Sequence, residues 1–214
     1  AHALNTPLTP LRLSLEETLQ QDGLPDTLQQ KLDAQGKTLL RMNQLVKNLL
    51  DLSALELAET CQAEKFSFNQ LAGAVMEEFL PLLQEQDIHS LIQADDGLEI
   101  YADKEKIKRM LINLVDNAIK YNQPGGEIRL QARQLGGDLV ISLFNTGPGI
   151  PAEDQARVFE QFYRVEKSRA ITLGGSGLGL TIVKRIVELH RGTITLQSKP
   201  GEWTQIDIIL PRRN

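Results

Sequence analysis

The stretch Asn113-Leu114-Val115-Asp116-Asn117-Ala118-Ile119-Lys120-Tyr121 decides how the rest of this 214-residue chain is read. It ends a run predicted to be helical over 104–121. There Ile107, Leu111, Leu114 and Ala118 recur at spacings of three and four and share one buried face. Asn113, Asn117 and Lys120 fall at i, i+4 and i+7, on roughly the opposite face. Asparagine competes with the helix backbone for hydrogen bonds, so two of them inside one helix need a reason. Two readings are open at this point. One is a solvated polar face. The other is a site in which the asparagine oxygens are neutral hard ligands for Mg2+ and Lys120 brings positive charge to bound phosphates.

Downstream, two glycine-rich segments flank alternating strand patterns. Asn145-Thr146-Gly147-Pro148-Gly149-Ile150-Pro151 follows an apolar strand, and Gly174-Gly175-Ser176-Gly177-Leu178-Gly179-Leu180 opens a helix expected over 178–190. Glycines let a backbone approach a ligand closely, and free N–H groups at a helix start attract phosphate. The second segment lacks the GKS or GKT of a Walker loop, and no strand directly precedes it as a dinucleotide fingerprint requires. Strand alternation appears in Ile128, Leu130 and Ala132 and in Leu139, Ile141 and Leu143, with a turn at Leu135-Gly136-Gly137-Asp138. Two closing strands, expected at 193–197 and 205–210, flank Lys199-Pro200-Gly201. Upstream, Leu71, Val75, Phe79, Leu82 and Leu83 predict an amphipathic helix over 69–85, followed by short strands at 88–93 and 99–102. Asp103 is placed to cap the next helix. Several strands and about three helices in mixed order predict one sheet with helices on one face, an α+β sandwich.

The front of the chain has a different period. Leu4, Leu8, Leu11, Leu15 and Leu19 form one helical stripe, which Asp22-Gly23-Leu24-Pro25 interrupts. A second stripe runs through Leu28, Leu32, Leu39, Met42, Leu45 (or Val46), Leu49 and Leu52, with Asp26 and Gln29 in capping-box spacing. The pattern predicts an antiparallel helical hairpin. Its seam is too narrow to stand alone, so two copies are expected to build a four-helix bundle, a homodimer through the hairpin. Pro7 and Pro10 fit either a kink beside His2 or the first turn of a helix that begins near Thr6. From Glu59 to Lys65 the heptad stops. The expected organisation is a hairpin over 1–60, a linker over 61–65 and an α/β domain over 66–214.

Composition bounds the partners. The formal charge is −5, with no basic run and no aromatic-basic platform, so nucleic acid is not an expected partner. No segment approaches the roughly 20 apolar residues of a membrane span, and direct membrane contact by this stretch is not expected. Cys61, the single cysteine, cannot form an internal disulfide and reads as a linker residue in a reducing compartment. His89 and His190 read as a surface strand residue and a residue at a helix C-terminus, and Trp203 as packing.

Taken in order, five segments resemble the boxes of the bacterial sensor histidine kinases of two-component systems, whose ATP site is of the Bergerat or GHKL class. Ala1-His2-Ala3-Leu4-Asn5-Thr6-Pro7-Leu8 resembles the phosphoacceptor box and Asn113 to Tyr121 the N box. Asn145 to Pro151 resembles the first glycine box, Val158-Phe159-Glu160-Gln161-Phe162-Tyr163-Arg164 the F box, and Gly175 to Leu180 the second glycine box.

The resemblance implies a protein-histidine kinase that moves the γ-phosphoryl group of ATP to His2 and then to an aspartate of a response-regulator receiver domain. It implies that Asn117, aided by Asn113, holds Mg2+, and that Lys120 and Tyr121 contact phosphates or ribose. It further implies that Gly147 and Gly149 shape the adenine end and that Gly175, Gly177, Leu178 and Gly179 cradle the triphosphate. A lid over 151–173 would be anchored by burial of Phe159 and Phe162, with Arg164, Lys167 or Arg169 reaching the γ-phosphate. Thr6 matches a position that orients water for dephosphorylating the regulator. The chain is expected in the cytoplasm, as the cytosolic portion of a longer receptor that can carry a membrane anchor.

Two positions depart from the family pattern. Asn145 stands where Asp usually accepts the adenine amino group; an amide can accept from that group and also donate to the ring nitrogen. Ala3 stands where Glu or Asp usually removes the histidine proton, and Glu16 and Glu17 lie about four turns away. A nucleotide-binding adaptor or a response-regulator phosphatase with weak autokinase activity is the alternative that Ala3 raises.

Overall fold

The computed structural model describes residues 8–19, 25–58, 60–165 and 176–212. Helices α1 (Leu8–Leu19) and α2 (Asp26–Leu57) form the hairpin. The capping box expected at Asp26 and Gln29 is not the start signal. Pro25 stands at the N-cap in extended conformation, and its carbonyl accepts the N–H groups of Leu28 and Gln29 at 2.8 and 3.0 Å. Proline's fixed φ already points the chain into the first turn, so no side-chain cap is needed. Pro10 lies in the first described turn of α1, whereas Pro7 falls outside the described residues.

The larger part begins at β1 (Glu64–Ser67), within the stretch expected as linker, and continues through α3 (Phe68–Glu85), β2 (His89–Ala94) and β3 (Glu99–Ala102). It goes on with α4 (Lys104–Lys120), β4 (Glu127–Leu135), β5 (Asp138–Thr146), the short α5 (Ala152–Gln155), α6 (Gly179–Leu189), β6 (Thr193–Lys199) and β7 (Trp203–Leu210). Ser67 caps α3 by accepting the Gln70 N–H, and Asp103 caps α4 by accepting that of Lys106. Five strands form one sheet in the order β2-β4-β5-β7-β6, while β1 and β3 make a separate antiparallel pair. Every neighbour in the large sheet is antiparallel except β2 and β4, which run parallel. A parallel pair needs a crossover, and the segment carrying α4 supplies it.

Alternation along the strands places the core. Ile128, Leu130 and Ala132 on β4, Ile141 and Leu143 on β5, and Ile206 and Ile208 on β7 are buried with Ile107, Leu111 and Leu114 of α4 and Ile182 and Ile186 of α6. The helices therefore cover one sheet face. On the other face the Arg129 guanidinium sits 4.3 Å over the Phe144 ring, whose centroid is 6.0 Å from that of Trp203.

Candidate functional site

The polar face of α4 is covered by the start of α6. Asn113 is only 8% exposed, and its Nδ2 donates to the Arg109 carbonyl at 2.8 Å, one turn back. A Cβ added at Gly179 would stand 3.3 Å from Asn117 Nδ2 and 3.4 Å from Asn113 Oδ1. The first residue of α6 is thus pressed against both asparagines. The Asn117 side chain, half-buried, makes no hydrogen bond among the described residues. Asn113 is thus not part of a solvated surface, while Asn117 and Lys120 are half-buried. Lys120 is engaged: its Nζ lies 2.5 Å from Asp116 Oδ2, a partly exposed i,i+4 pair that a phosphate would compete with. Tyr121 ends the helix, its N–H donating to the Asn117 carbonyl, and its side chain is exposed.

The first glycine loop packs against the end of that helix. Gly147 has φ of 143°, and a Cβ there would meet the Tyr121 carbonyl oxygen at 2.1 Å. The loop's amides are already used: Gly147 N–H donates to the Glu202 carbonyl at 3.0 Å and Ile150 N–H to Ser198 Oγ at 2.8 Å. This loop is a wall held to the β6–β7 turn rather than an anion cradle, and Gly149 belongs to the same wall. Asn145, 7% exposed, donates its Nδ2 to the carbonyls of Thr146 at 2.8 Å and Tyr121 at 3.4 Å. Carbonyls can only accept, so the amide orientation is decided by its neighbours. Its nitrogen donates within the protein, and Oδ1, an acceptor, is the remaining group. Beside it, Thr146 Oγ1 donates to Asn122 Oδ1 at 2.6 Å and accepts the Glu127 N–H at 2.8 Å. Asn122 follows the helix directly, but no spacing marked it.

The second glycine segment packs the start of α6 against the turn that ends at Phe162. Gly177 has φ of 70°, its carbonyl accepts the Phe162 N–H at 3.0 Å, and a Cβ there would strike the Phe162 backbone at 2.8 Å. Leu178 is fully buried. Thr181 Oγ1 donates to the Phe159 carbonyl at 3.1 Å. Phe162 does not anchor the lid by burial: its side chain is 58% exposed, because a backbone at φ of 62° pressed against Gly177 turns the ring outward. Val158 is buried and Phe159 half-buried. The Tyr163 hydroxyl donates to Asp154 Oδ1, which pushes its phenol above the usual range, and the Arg157 guanidinium lies 4.1 Å over its ring. His2, Thr6, Lys167, Arg169 and Gly175 lie outside the described residues; Arg164 is described and half-buried.

The two site helices are also tied at their far ends. Asp103 N–H donates to His190 Nε2 at 3.2 Å, so His190 Nδ1 carries the proton and donates to the Ile186 carbonyl at 2.8 Å. Burial pushes the Asp103 carboxyl up, but hydrogen bonds from Lys106 and from Gln62 N–H hold it below the ordinary aspartate value. Cys61 Sγ lies 3.8 Å from His190 Nδ1, which packs the segment after the hairpin onto this pair. His190 is structural, as its place at a helix end suggested, and His89 is exposed on an edge strand.

Sheet topology, an asparagine-bearing helix and a glycine-opened helix meeting at its polar face define a class of nucleotide-binding domain, and comparison with known proteins identifies it. The chain belongs to the histidine kinase-, DNA gyrase B- and HSP90-like ATPase family, whose model matches residues 102–214. Residues 1–58 match the His Kinase A phospho-acceptor domain, and the two matches together are those of a two-component sensor histidine kinase. The chain is 36% identical over 222 residues to the adaptive-response sensory kinase SasA of Crocosphaera subtropica, covering 99% of this chain and 57% of that protein. It is 30% identical over 212 residues to the sensor-like histidine kinase SenX3 of Mycolicibacterium smegmatis, covering 99% and 55%. The chain thus spans about half the length of the curated relatives it matches. Among solved structures, the histidine kinase AdeS of Acinetobacter baumannii superposes with a TM-score of 0.70 at 26% identity, covering 100% of this chain and 99% of that one. The histidine kinase ThkA, solved in complex with the response regulator protein TrrA, superposes at 0.72 with 25% identity, covering 100% of this chain and 60% of that one. No described helix is long and apolar enough to cross a membrane.

Proposed function

We propose that this chain is the ATP-dependent protein-histidine kinase core of a two-component sensor. The observation that carries the reading is the closure of the α4 asparagine face by the N-terminus of α6, with Gly179 seated between Asn113 and Asn117. Asparagine oxygens are neutral hard donors, and the amides at the start of a helix favour phosphate, so one place offers groups for a metal and for an anion. Asn117 and Asn113 would hold Mg2+, which neutralises charge on the triphosphate. Asn145 Oδ1 accepts from the adenine amino group, and Lys120 exchanges Asp116 for a phosphate. Gly175, Gly177, Leu178 and Gly179 shape the phosphate end and Gly147, Gly149 and Tyr121 the base end.

His2 is the acceptor. Its imidazole nitrogen attacks the γ-phosphorus in line, the bond to the ADP oxygen breaks, and the phosphoryl group passes on to a receiver-domain aspartate. Ala3 leaves the proton of His2 without the usual neighbouring carboxylate, which bears on rate, since general-base help contributes about 10²- to 10⁴-fold. By the family resemblance, Thr6 would orient water when the regulator is dephosphorylated. The hairpin supports a second copy: a groove of about 570 Å³ between α1 and α2, lined by Leu11, Leu32, Leu39 and Met42 among others, is open to solvent in a single chain. A second hairpin filling it completes a four-helix bundle. Incubation with γ-labelled ATP tests the reading. Label is retained on the wild type and lost in His2→Ala; hydrolysis unaffected by His2→Ala, with no label on the protein, sinks it.

A further inference from the structure

A buried polar side chain at the boundary between hairpin and catalytic domain reaches both halves of the candidate site. Asn48, on α2, is 5% exposed. Its Oδ1 accepts from Gln44 Nε2 at 2.8 Å and from Arg109 Nη2 at 2.9 Å. A guanidinium only donates, so the atom facing Arg109 is the oxygen, and the other amide atom is the nitrogen. That nitrogen donates to Ser176 Oγ at 3.0 Å, 128 residues away in sequence. Ser176 Oγ also accepts the Leu178 backbone N–H at 3.2 Å, immediately before α6. Arg109 is held a second time by Asp51 Oδ2 at 2.5 Å, and its carbonyl is the acceptor that orients Asn113.

We infer that Asn48 is a positioning residue for phosphoryl transfer: it sets the hairpin, the asparagine-bearing helix and the glycine segment in one register. The inference rests on the kinase reading above. Buried Leu52 and Leu55, and Arg185 donating to the carbonyls of Leu55 and Glu56 at 3.2 and 3.4 Å, hold the hairpin against α6. Apolar burial is non-directional and tolerates sliding, whereas three hydrogen bonds to one buried amide do not. Transfer from nucleotide to a hairpin histidine depends on alignment, and a misplacement of about 1 Å costs about 10²-fold. Asn48 bonds none of the groups proposed to hold nucleotide directly, only Ser176 beside them and Arg109 one turn from Asn113, so the alignment of hairpin and catalytic domain is what its removal disturbs first. Its loss therefore falls on the chemical step.

The test uses the intact chain with Asn48→Leu, which keeps the volume and removes the hydrogen bonds, and Asn48→Asp, which still accepts from Gln44 and Arg109 and takes the Ser176 proton. In Asn48→Leu, kcat for autophosphorylation falls about 10- to 100-fold while KM for ATP stays within about threefold, and Asn48→Asp recovers most of the rate. Without nucleotide, amide hydrogen exchange across 176–180 accelerates in Asn48→Leu and not in Asn48→Asp. An unchanged kcat, a loss confined to KM, or a faster reaction overturns the inference, the last by making the contact a brake. Absence of label on the wild type overturns the kinase reading instead. The exchange measurement then decides the positioning role alone, and unchanged exchange in Asn48→Leu rejects it.

Discussion

The hairpin and the catalytic domain are built from similar fractions of leucine-like residues and use them differently. On the hairpin, Leu11, Leu28, Leu40, Met42, Leu45 and Leu49 are exposed; in the domain, Ile107, Met110, Leu111 and Ile182 are fully buried. A two-helix layer has one contact line, so a leucine stripe wider than that line remains in water until another surface covers it. A sheet covered by helices encloses its apolar face within one chain. The difference teaches that the domain closes its apolar face within one chain, whereas the hairpin leaves part of its leucine stripe uncovered in a single chain.

Substitutions at three positions break or sharpen that contrast. Trp203 is the only tryptophan and lies in the large sheet, so its fluorescence follows the domain alone, while helical circular dichroism also follows the hairpin. The largest expected effect is Leu111→Ala, which lowers domain stability by about 2–5 kcal/mol in denaturant titrations followed through Trp203. Met42→Asp comes next: it puts charge into the open hairpin groove, shifts sedimentation from dimer to monomer, and moves the Trp203 transition by less than about 0.5 kcal/mol. A large Trp203 shift there would mean that the two parts do not stabilise separately.

The remaining effect, on the domain alone, is at Asp103. Asp103→Ala removes the α4 cap and costs about 0.5–2 kcal/mol, whereas Asp103→Asn keeps a capping side chain and removes the charge. Because the folded carboxyl titrates below the ordinary aspartate value of 3.8, its contribution is full above about pH 3.8 and is lost as pH falls through the lower folded value. Acid titration of Asp103→Asn, followed at Trp203, lacks that segment of the wild-type slope.

The site was legible where chemistry sits on one element. Asn113, Asn117 and Lys120 stand out because a helix places i, i+4 and i+7 together, and Asp103 stands out as a short polar residue before a periodic run. Arg109, Asn122 and Ser176 were missed because each acts through a partner brought by the fold, and nothing in their spacing marks them. Phe162 was misjudged for the same reason. An aromatic in a box reads as an anchor until its backbone, held at positive φ against Gly177, turns the ring to solvent.

By itself, the sequence determined the elements: two leucine-striped helices, a capped amphipathic helix carrying the asparagines, strands that alternate, and glycine segments where a backbone must turn or approach closely. These follow from local periodicity and from the conformational preferences of single residues. Only the tertiary structure decided that β2 runs parallel to β4, that Asn145 donates its amide nitrogen to the Thr146 and Tyr121 carbonyls, and that Asn48 meets Ser176 across 128 residues of chain. Such contacts depend on how packed layers close on one another, and a one-dimensional pattern carries periodicity without carrying which distant groups that closure brings together.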